Sequence, residues 1–460
     1  MRYTHSVERL RVDRPPLVLI PQFFGCTVFD RRNSRYLPFD HEAAGLLTEL
    51  VDIPMEQVHG RWRATESAER VAALERFFDH FGDLGFFTLD RRLAADVLSV
   101  TVPDDHLVGP LAVHLEVASA CNLTCTHCFA GDLPRHEQRL SLIELGSLFG
   151  EMASMGSFRL GLTGGEPLLR RDLFDVIDLA TNHGLCPCIT TNGLLIDAEV
   201  ARGFGERNPV WINVSLEEAT AETNDAVRGP GTFDRVLDRL AVLREYTPFT
   251  LAFTVMSTNV DEVEQCVELA ERVGASTAVF RPLYPVGVAR RHLDLMPTFD
   301  QYSVALRRLA QAAPGSGAHL RHLDPFSPAA RHEAQPVTFT NLGCGAGNLV
   351  CSISVSGETN PCSFLGSDHV AGTLRERSLS SLWHDSAGFK AIRSLPGGNP
   401  CGGGCATPDA DGHFAGGCRA RALVLNGSIN APDPWVDSAA AAGYRRMLPL
   451  LTVEQERHVR

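Results

Sequence analysis

From about residue 111 to about residue 310 the chain repeats one pattern, a short run of apolar and β-branched residues followed by a longer stretch with apolar positions at helical spacing. Residues 111–118, 159–162, 187–191, 211–216, 250–256 and 276–282 read as strands, and stretches such as 142–155 and 261–273 read as the helices between them. Strands that alternate with helices specify an α/β architecture with parallel strands, the sequence form of a βα barrel, here with six strands. Loops at the carboxyl ends of such strands carry the chemistry.

Residues 1 to about 100 follow another pattern. Strand-like runs at 17–20 and 26–29 precede helices at 40–50 and 66–81, and 86–89 has the make-up of a wing. Residues 91–110, with breakers at Pro103 and Gly109-Pro110, read as a linker, and proline, glycine and histidine interrupt helical pattern again over 312–336. The expected divisions are therefore 1–100, a barrel over 111–310, a cysteine-rich segment over 341–435 and a tail over 436–460.

At 460 residues and 44% apolar content the chain can bury two or three cores, and no apolar run reaches the length of a membrane span. Its first residues lack the apolar segment and cleavage site of a secretory signal, so a cytoplasmic protein is expected, with its 13 cysteines reduced and available to metal. A net charge of −13 without a basic run argues against nucleic acid as a partner. Cys26, Cys186, Cys188 and Cys266 stand singly among apolar neighbours and read as core residues.

Cys121, Cys125 and Cys128 cluster after the first barrel strand. Three thiolates hold three corners of a cubane iron–sulfur cluster and leave the fourth iron open to a small molecule. A zinc knuckle is the alternative, but it wants four closed ligands and His127 lies between two of the thiolates. Thr163-Gly164-Gly165-Glu166-Pro167 follows the second strand. Together these motifs resemble the radical S-adenosylmethionine (radical SAM) superfamily, and the six strands suit the partial (β/α)6 barrel that the resemblance implies. The resemblance implies a [4Fe-4S] cluster on Cys121, Cys125 and Cys128 that chelates S-adenosylmethionine, with Gly164, Gly165 and Glu166 at the methionyl amine. It further implies Asn192 among the cofactor contacts, Ser215 and Arg228 at the ribose and methionyl carboxylate, and His127 beside the adenine. The implied reaction is one-electron cleavage to a 5′-deoxyadenosyl radical that abstracts hydrogen, fed by a flavodoxin- or ferredoxin-type reductant. The pattern names no general acid or base, since the cofactor supplies the hard chemistry.

Downstream, Cys344, Gly357 and Cys362, then Cys401, Cys405 and Gly416-Gly417-Cys418-Arg419, resemble the SPASM extension of radical SAM enzymes that modify peptides and proteins. That resemblance implies one closed auxiliary [4Fe-4S] cluster on Cys344, Cys351, Cys362 and Cys418. A second, on Cys401 and Cys405, departs from the family pattern: three residues separate these cysteines instead of two, Phe414 stands where a cysteine belongs, and none follows Cys418. It must borrow Asp409, Asp411 or His413, take a smaller form, or be absent. The first 100 residues resemble, in pattern only, a winged-helix element that captures the leader of a precursor peptide, the other reading being a structural cap on the barrel. The implied enzyme matures a ribosomally made peptide by crosslinking or another side-chain or backbone change. The alternatives are a SPASM enzyme acting on a tetrapyrrole side chain and a leader-binding iron–sulfur protein without radical activity. Ser363, where sulfatase-maturing relatives carry aspartate, weakens that branch.

Overall fold

Two-faced strands build the amino-terminal unit. β1 (Leu17–Gln22) pairs antiparallel with β2 (Gly25–Asp30), and β2 with β3 (Arg35–Asp40). Leu17, Leu19, Val28, Leu37 and Phe39 turn one face onto α1 (His41–Asp52), α2 (Met55–Thr65) and α3 (Ala68–Asp83). Asp40 caps α1 by accepting the amide of Ala43. The opposite face, with Val18, Ile20, Phe29 and Tyr36, joins the core of the larger unit. There Phe29 stacks on Phe158 at 4.9 Å, and the Tyr36 hydroxyl donates to the Gly156 carbonyl at 2.8 Å while accepting the Phe158 amide at 2.7 Å. β4 (Ala95–Val97) pairs parallel with β1, giving the order β3-β2-β1-β4. Three residues of the expected linker are thus a strand, and the expected wing is a hairpin held by a Phe87–Leu93 bridge. The computed structural model describes residues 14–83, 85–131, 138–207, 211–312, 319–322, 344–395, 417–435 and 438.

All six expected barrel strands form, parallel and within two residues of their expected bounds. They are β5 (Ala112–Ala118), β6 (Arg159–Gly164), β7 (Cys186–Thr191), β8 (Trp211–Ser215), β9 (Thr250–Val255) and β10 (Thr277–Pro282). Between them run α4 (Leu142–Ser154), α5 (Leu173–Asn182), α6 (Ala198–Arg207), α7 (Ala221–Arg228), α8 (Thr232–Leu243) and α9 (Val263–Val273). Ser141 and Glu144 close a capping box on α4. α10 (Phe299–Gln311) follows β10. Along each strand the residues that pack on the helices, such as Val113, Leu115, Leu160, Leu162 and Ile189, alternate with residues facing the concave side.

The sheet does not close into a barrel. β11 (His319–His322) extends it beyond β10. At the other edge β12 (Val350–Ile353) pairs parallel with β5 and carries β13 (Glu358–Asn360) and β14 (Gly372–Thr373), giving ten strands among the described residues. The cysteine-rich segment is therefore built onto the sheet through shared backbone hydrogen bonds. Its helices are α11 (Leu379–Asp385), α12 (Ala387–Arg393) and α13 (Arg419–Asn426). Trp383 of α11 is fully buried and donates its indole N–H to the Leu107 carbonyl at 2.7 Å.

Candidate active site

The cysteine loop leaves β5 at Ala118 and is clamped by backbone. Gly165 donates its amide to the Ala118 carbonyl at 2.7 Å, and Glu166 donates to the Ala120 carbonyl at 2.8 Å. A Cβ on Gly164 would lie 2.3 Å from the Ala118 carbonyl oxygen, and one on Gly165 2.1 Å from that of Ala120. The φ of +118° at Gly164 also suits only glycine. The close approach these glycines permit is to the cysteine loop itself. On the other side, Thr126 donates to the Val227 carbonyl at 3.1 Å and Val288 to that of Cys128 at 2.9 Å.

Glu166 ties this turn to β7. One of its oxygens accepts Thr191 Oγ1 at 2.7 Å and the Leu168 amide at 3.0 Å, and the other accepts the Asn192 amide at 2.8 Å. Burial raises its pKa while those donors oppose the rise. Asn192 reaches back to Asn122 Oδ1 at 2.7 Å and lies 3.9 Å from Cys121 Sγ. Gly164, Gly165, Glu166, Asn192 and the three cysteines thus form one connected constellation, with Ser215 at the end of β8.

Glu217 is a buried hub that no motif in the sequence marks. It lies 3.0 Å from His127 Nε2 and 2.5 Å from Arg228 Nη2, and accepts the Thr254 amide at 2.8 Å. Burial alone would raise its pKa, but His127 and Arg228 outweigh burial and hold the carboxyl well below the usual range. Arg228 stands at the end of α7, close enough to oppose the upward shift of the Cys125 and Cys128 thiols. Burial pushes Cys125 up to about 11, with Glu217, Cys128 and Cys121 adding to the rise. Among the described residues His127 Nδ1 has no hydrogen-bond partner.

These donors fit a cluster. Cys121, Cys125 and Cys128 are free thiols that sense one another's charge. Among the described residues no three His, Cys, Asp or Glu side chains converge on a single-ion site of the kind zinc takes. A cubane, whose corners hold its ligands apart, needs no such convergence. The turn at Gly164–Glu166 and the end of β8 surround this loop with backbone and polar groups suited to an amino-acid cofactor.

A second triad forms in the carboxy-terminal segment. Cys344, Cys362 and Cys418 pack around Val286, Ala346, Leu365 and Ile392, and burial pushes the Cys362 and Cys418 thiols up, with Cys344 adding to both shifts. Cys351 is not with them: it lies on β12 opposite Val113, fully buried in the main core. Strand parity explains this, because the seven-residue step from Cys344 lands in a strand whose side chains are claimed by the sheet's packing face. Cys401 and Cys405, with Asp409, Asp411 and His413, lie outside the described residues. Asp433 braces the triad, accepting the Cys418 amide at 2.7 Å and pairing with buried Arg421 at 2.8 and 2.9 Å. Phe364, two residues past Cys362, contacts Phe129 at 5.7 Å and Tyr284 at 4.8 Å, so an aromatic bridge joins the two cysteine sets.

The concave face between them is polar: His114 and Glu116 on β5, Arg159 on β6, Cys188 on β7, Asn213 on β8 and Arg281 on β10. Cys188 is therefore no plain core residue, unlike Cys26 and Cys266, and it accepts a hydrogen bond from Asn213 at 3.3 Å. Burial, then Glu358, raises the Glu116 pKa to about 7. The polar residues at alternate strand positions were a signal in the sequence for all of these.

An open parallel sheet with a three-cysteine loop at its strand ends and a separate thiol triad defines an iron–sulfur enzyme. A family model of the radical SAM superfamily matches residues 115–270, and one of the SPASM iron–sulfur cluster-binding domain matches residues 344–406. Mycofactocin maturase MftC of Mycobacterium tuberculosis is 31% identical over 339 residues, 71% of this chain and 83% of its own length. An AdoMet-dependent heme synthase of Methanosarcina barkeri is 28% identical over 345 residues, 71% of this chain and 96% of its own. SuiB of Streptococcus suis, in its crystal structure bound to precursor peptide SuiA, shares the fold at a TM-score of 0.64 and 14% identity, over 92% of this chain and 98% of that one. The chain belongs to the radical SAM superfamily and carries a SPASM domain. It is an enzyme whose cofactors are [4Fe-4S] clusters and S-adenosylmethionine. No helix among the described residues is long and apolar enough to cross a membrane.

Proposed function

We propose that the chain matures a ribosomally made precursor peptide. The observation that carries this reading is the amino-terminal unit, a small sheet with edges at β3 and β4 beside three helices, joined to the catalytic sheet through Tyr36 and Phe29. The fold likeness to SuiB, which is bound to a precursor peptide in its crystal structure, extends over 92% of this chain and supports it. An added peptide strand would take affinity from backbone hydrogen bonds along an edge and specificity from flanking side chains.

In this reading Cys121, Cys125 and Cys128 hold the catalytic cluster, and Cys344, Cys362 and Cys418 hold an auxiliary one with a fourth ligand other than Cys351. With S-adenosylmethionine bound, such a cluster would supply one-electron reductive cleavage, and the resulting 5′-deoxyadenosyl radical would take a hydrogen atom from the substrate. The chain's own residues position and enclose. Gly164 and Gly165 dock the cysteine loop, and Glu166 and Asn192 fix the turn beside it. Glu217 keeps Arg228 charged next to the thiolates and holds the His127 ring, and the concave face receives the target residue. A flavodoxin- or ferredoxin-type protein delivers the electron.

The test is anaerobic incubation of the reconstituted enzyme, reductant and S-adenosylmethionine with any short leader-bearing peptide found encoded beside its gene, with and without the leader. A mass change that needs the leader is the expected result; equal modification of the leaderless core would remove the recognition role of the amino-terminal unit. The 28% identity to heme synthases favours a second reading, a tetrapyrrole propionate as target. Turnover of an iron porphyrin and none of the peptide would establish it instead.

A further inference from the structure

Strand register divides the concave face into levels. From β5 to β8, buried core residues alternate with half-buried residues on the concave side. His114 stands opposite Gly161, Gly161 opposite Cys188 and Cys188 opposite Trp211, which makes one level. Two residues further toward the carboxyl ends, Glu116 stands opposite Thr163 and Thr190 opposite Asn213. The pairing of Leu162 with Ile189 puts Thr163 beside Thr190 and completes this second level. Across these four strands Glu116 is its titratable side chain. The next pair up is Ala118 with Gly164, where the cysteine loop meets its glycine turn, so Glu116 lies directly beneath that junction.

The deeper level is already committed. His114 Nδ1 lies 3.2 Å from Ser363 Oγ, and its ring leans over Gly161, where a Cβ would come within 3.2 Å of it. Cys188 accepts from Asn213 Nδ2, which also reaches Thr190 Oγ1 at 3.4 Å. The Glu116 carboxyl differs. Among the described residues it has no hydrogen bond or ion pair, and it is half-buried without being sealed from solvent. A half-buried carboxyl without a partner weakens a fold rather than holding it together. The titratable and charged groups around it are His114 below it on β5, Cys188 one level down on β7, Arg159 two levels down on β6 and Glu358 on β13. Burial, then Glu358, raises the Glu116 pKa to about 7, whereas burial holds His114 down at about 4 and Cys188 up at about 12. Near neutral pH Glu116 therefore exchanges a proton where its two neighbours do not, and a base matched to the working pH is the effective one.

We propose that Glu116 is the proton acceptor of the reaction, a catalytic residue that takes the proton of a weakly acidic O–H, N–H or S–H group on the target side chain. This rests on the reading of the chain as a peptide maturase whose target sits on the concave face. The bond from the heteroatom to hydrogen breaks and leaves its electron pair on the heteroatom. An O–H bond forms on the carboxylate, and the proton passes to water when the carboxyl ionises again. The test uses the reconstituted full chain with reductant, S-adenosylmethionine and a short leader-bearing peptide encoded beside its gene, with modified peptide measured from about pH 5.5 to about pH 8.5. Wild-type modification should rise about tenfold per pH unit and level off above about pH 7. Glu116→Gln should lower it at least about 100-fold and flatten the rise at unchanged iron content and peptide KM, and Glu116→Asp should recover part of the loss. Infrared difference spectra between about pH 6 and about pH 8, taken without peptide, should show a protonated-carboxyl band in wild type that Glu116→Gln lacks. With a wild type that modifies the peptide, a Glu116→Gln enzyme as fast as wild type, a loss confined to KM, a variant that keeps the pH rise, or no such band would each overturn the proposal and leave the functional reading standing. A wild type that cleaves S-adenosylmethionine and modifies no peptide would overturn the functional reading, and the proposal with it.

Discussion

Replacing Glu217 by glutamine keeps its shape and removes its charge, which isolates what the hub contributes. The carboxylate meets Arg228 at 2.5 Å, His127 at 3.0 Å and the Thr254 amide at 2.8 Å, and its side chain is 2% exposed, as that of Arg228 is 7%. A neutral amide offers one acceptor oxygen where the structure uses two, and turns an N–H toward a donor. The larger effect is that Arg228 is left charged and enclosed, and breaking one side of a buried pair costs about 3–5 kcal/mol. For a cooperative unit of about 200 residues this is a fall in melting temperature of about 10 °C. Thermal and urea melts of the reconstituted protein measure it. The double variant Glu217→Gln/Arg228→Met, which removes the orphan charge as well, should recover most of the loss, giving a coupling of about 3 kcal/mol. A single variant within about 1 kcal/mol of wild type, or a double variant whose loss is the sum of the two single losses, would refute the hub argument.

Gly165→Ala should abolish S-adenosylmethionine cleavage, because a Cβ 2.1 Å from the Ala120 carbonyl must push the cysteine loop off the turn; 5′-deoxyadenosine formation reads it out, and normal turnover would contradict the clamp. Glu116 holds a proton up to about pH 7 that the unfolded chain releases near its ordinary 4.5, so stability falls as pH rises through that window, by about 3 kcal/mol at its end. Glu116→Gln should remove that fall, and matching pH profiles of the two proteins would show that the carboxyl is not protonated there. Cys351→Ala should keep the auxiliary iron whereas Cys362→Ala should lose it, read by iron content and electron paramagnetic resonance; the reverse order would place Cys351 on the cluster.

Much of the catalytic sheet is legible because burial of one face stamps a period of two on each strand, as in Val113, Leu115 and Val117. The strand at Arg35–Asp40 is hidden because Pro38 interrupts its β-rich character, and Ala95–Val97 is too short to rise above a linker. Cys121, Cys125 and Cys128 are visible from their spacing, since all three sit in one loop. Spacing fails for Cys351, where the partners are remote in sequence and strand parity decides which way the thiol faces. Glu217 is missed for a related reason: it is an ordinary charged residue locally, and only the end of α7 brings its partner Arg228 near.

The central claim, an open cluster on the first cysteine triad that drives radical chemistry, is tested most directly by anaerobic iron and sulfide content together with S-adenosylmethionine cleavage. Wild type is compared with a variant carrying alanine at Cys121, Cys125 and Cys128. The account predicts 5′-deoxyadenosine from wild type alone and a loss of about four irons in the variant, with the auxiliary iron retained. Cleavage that survives in the variant, or iron content that does not change, would contradict it.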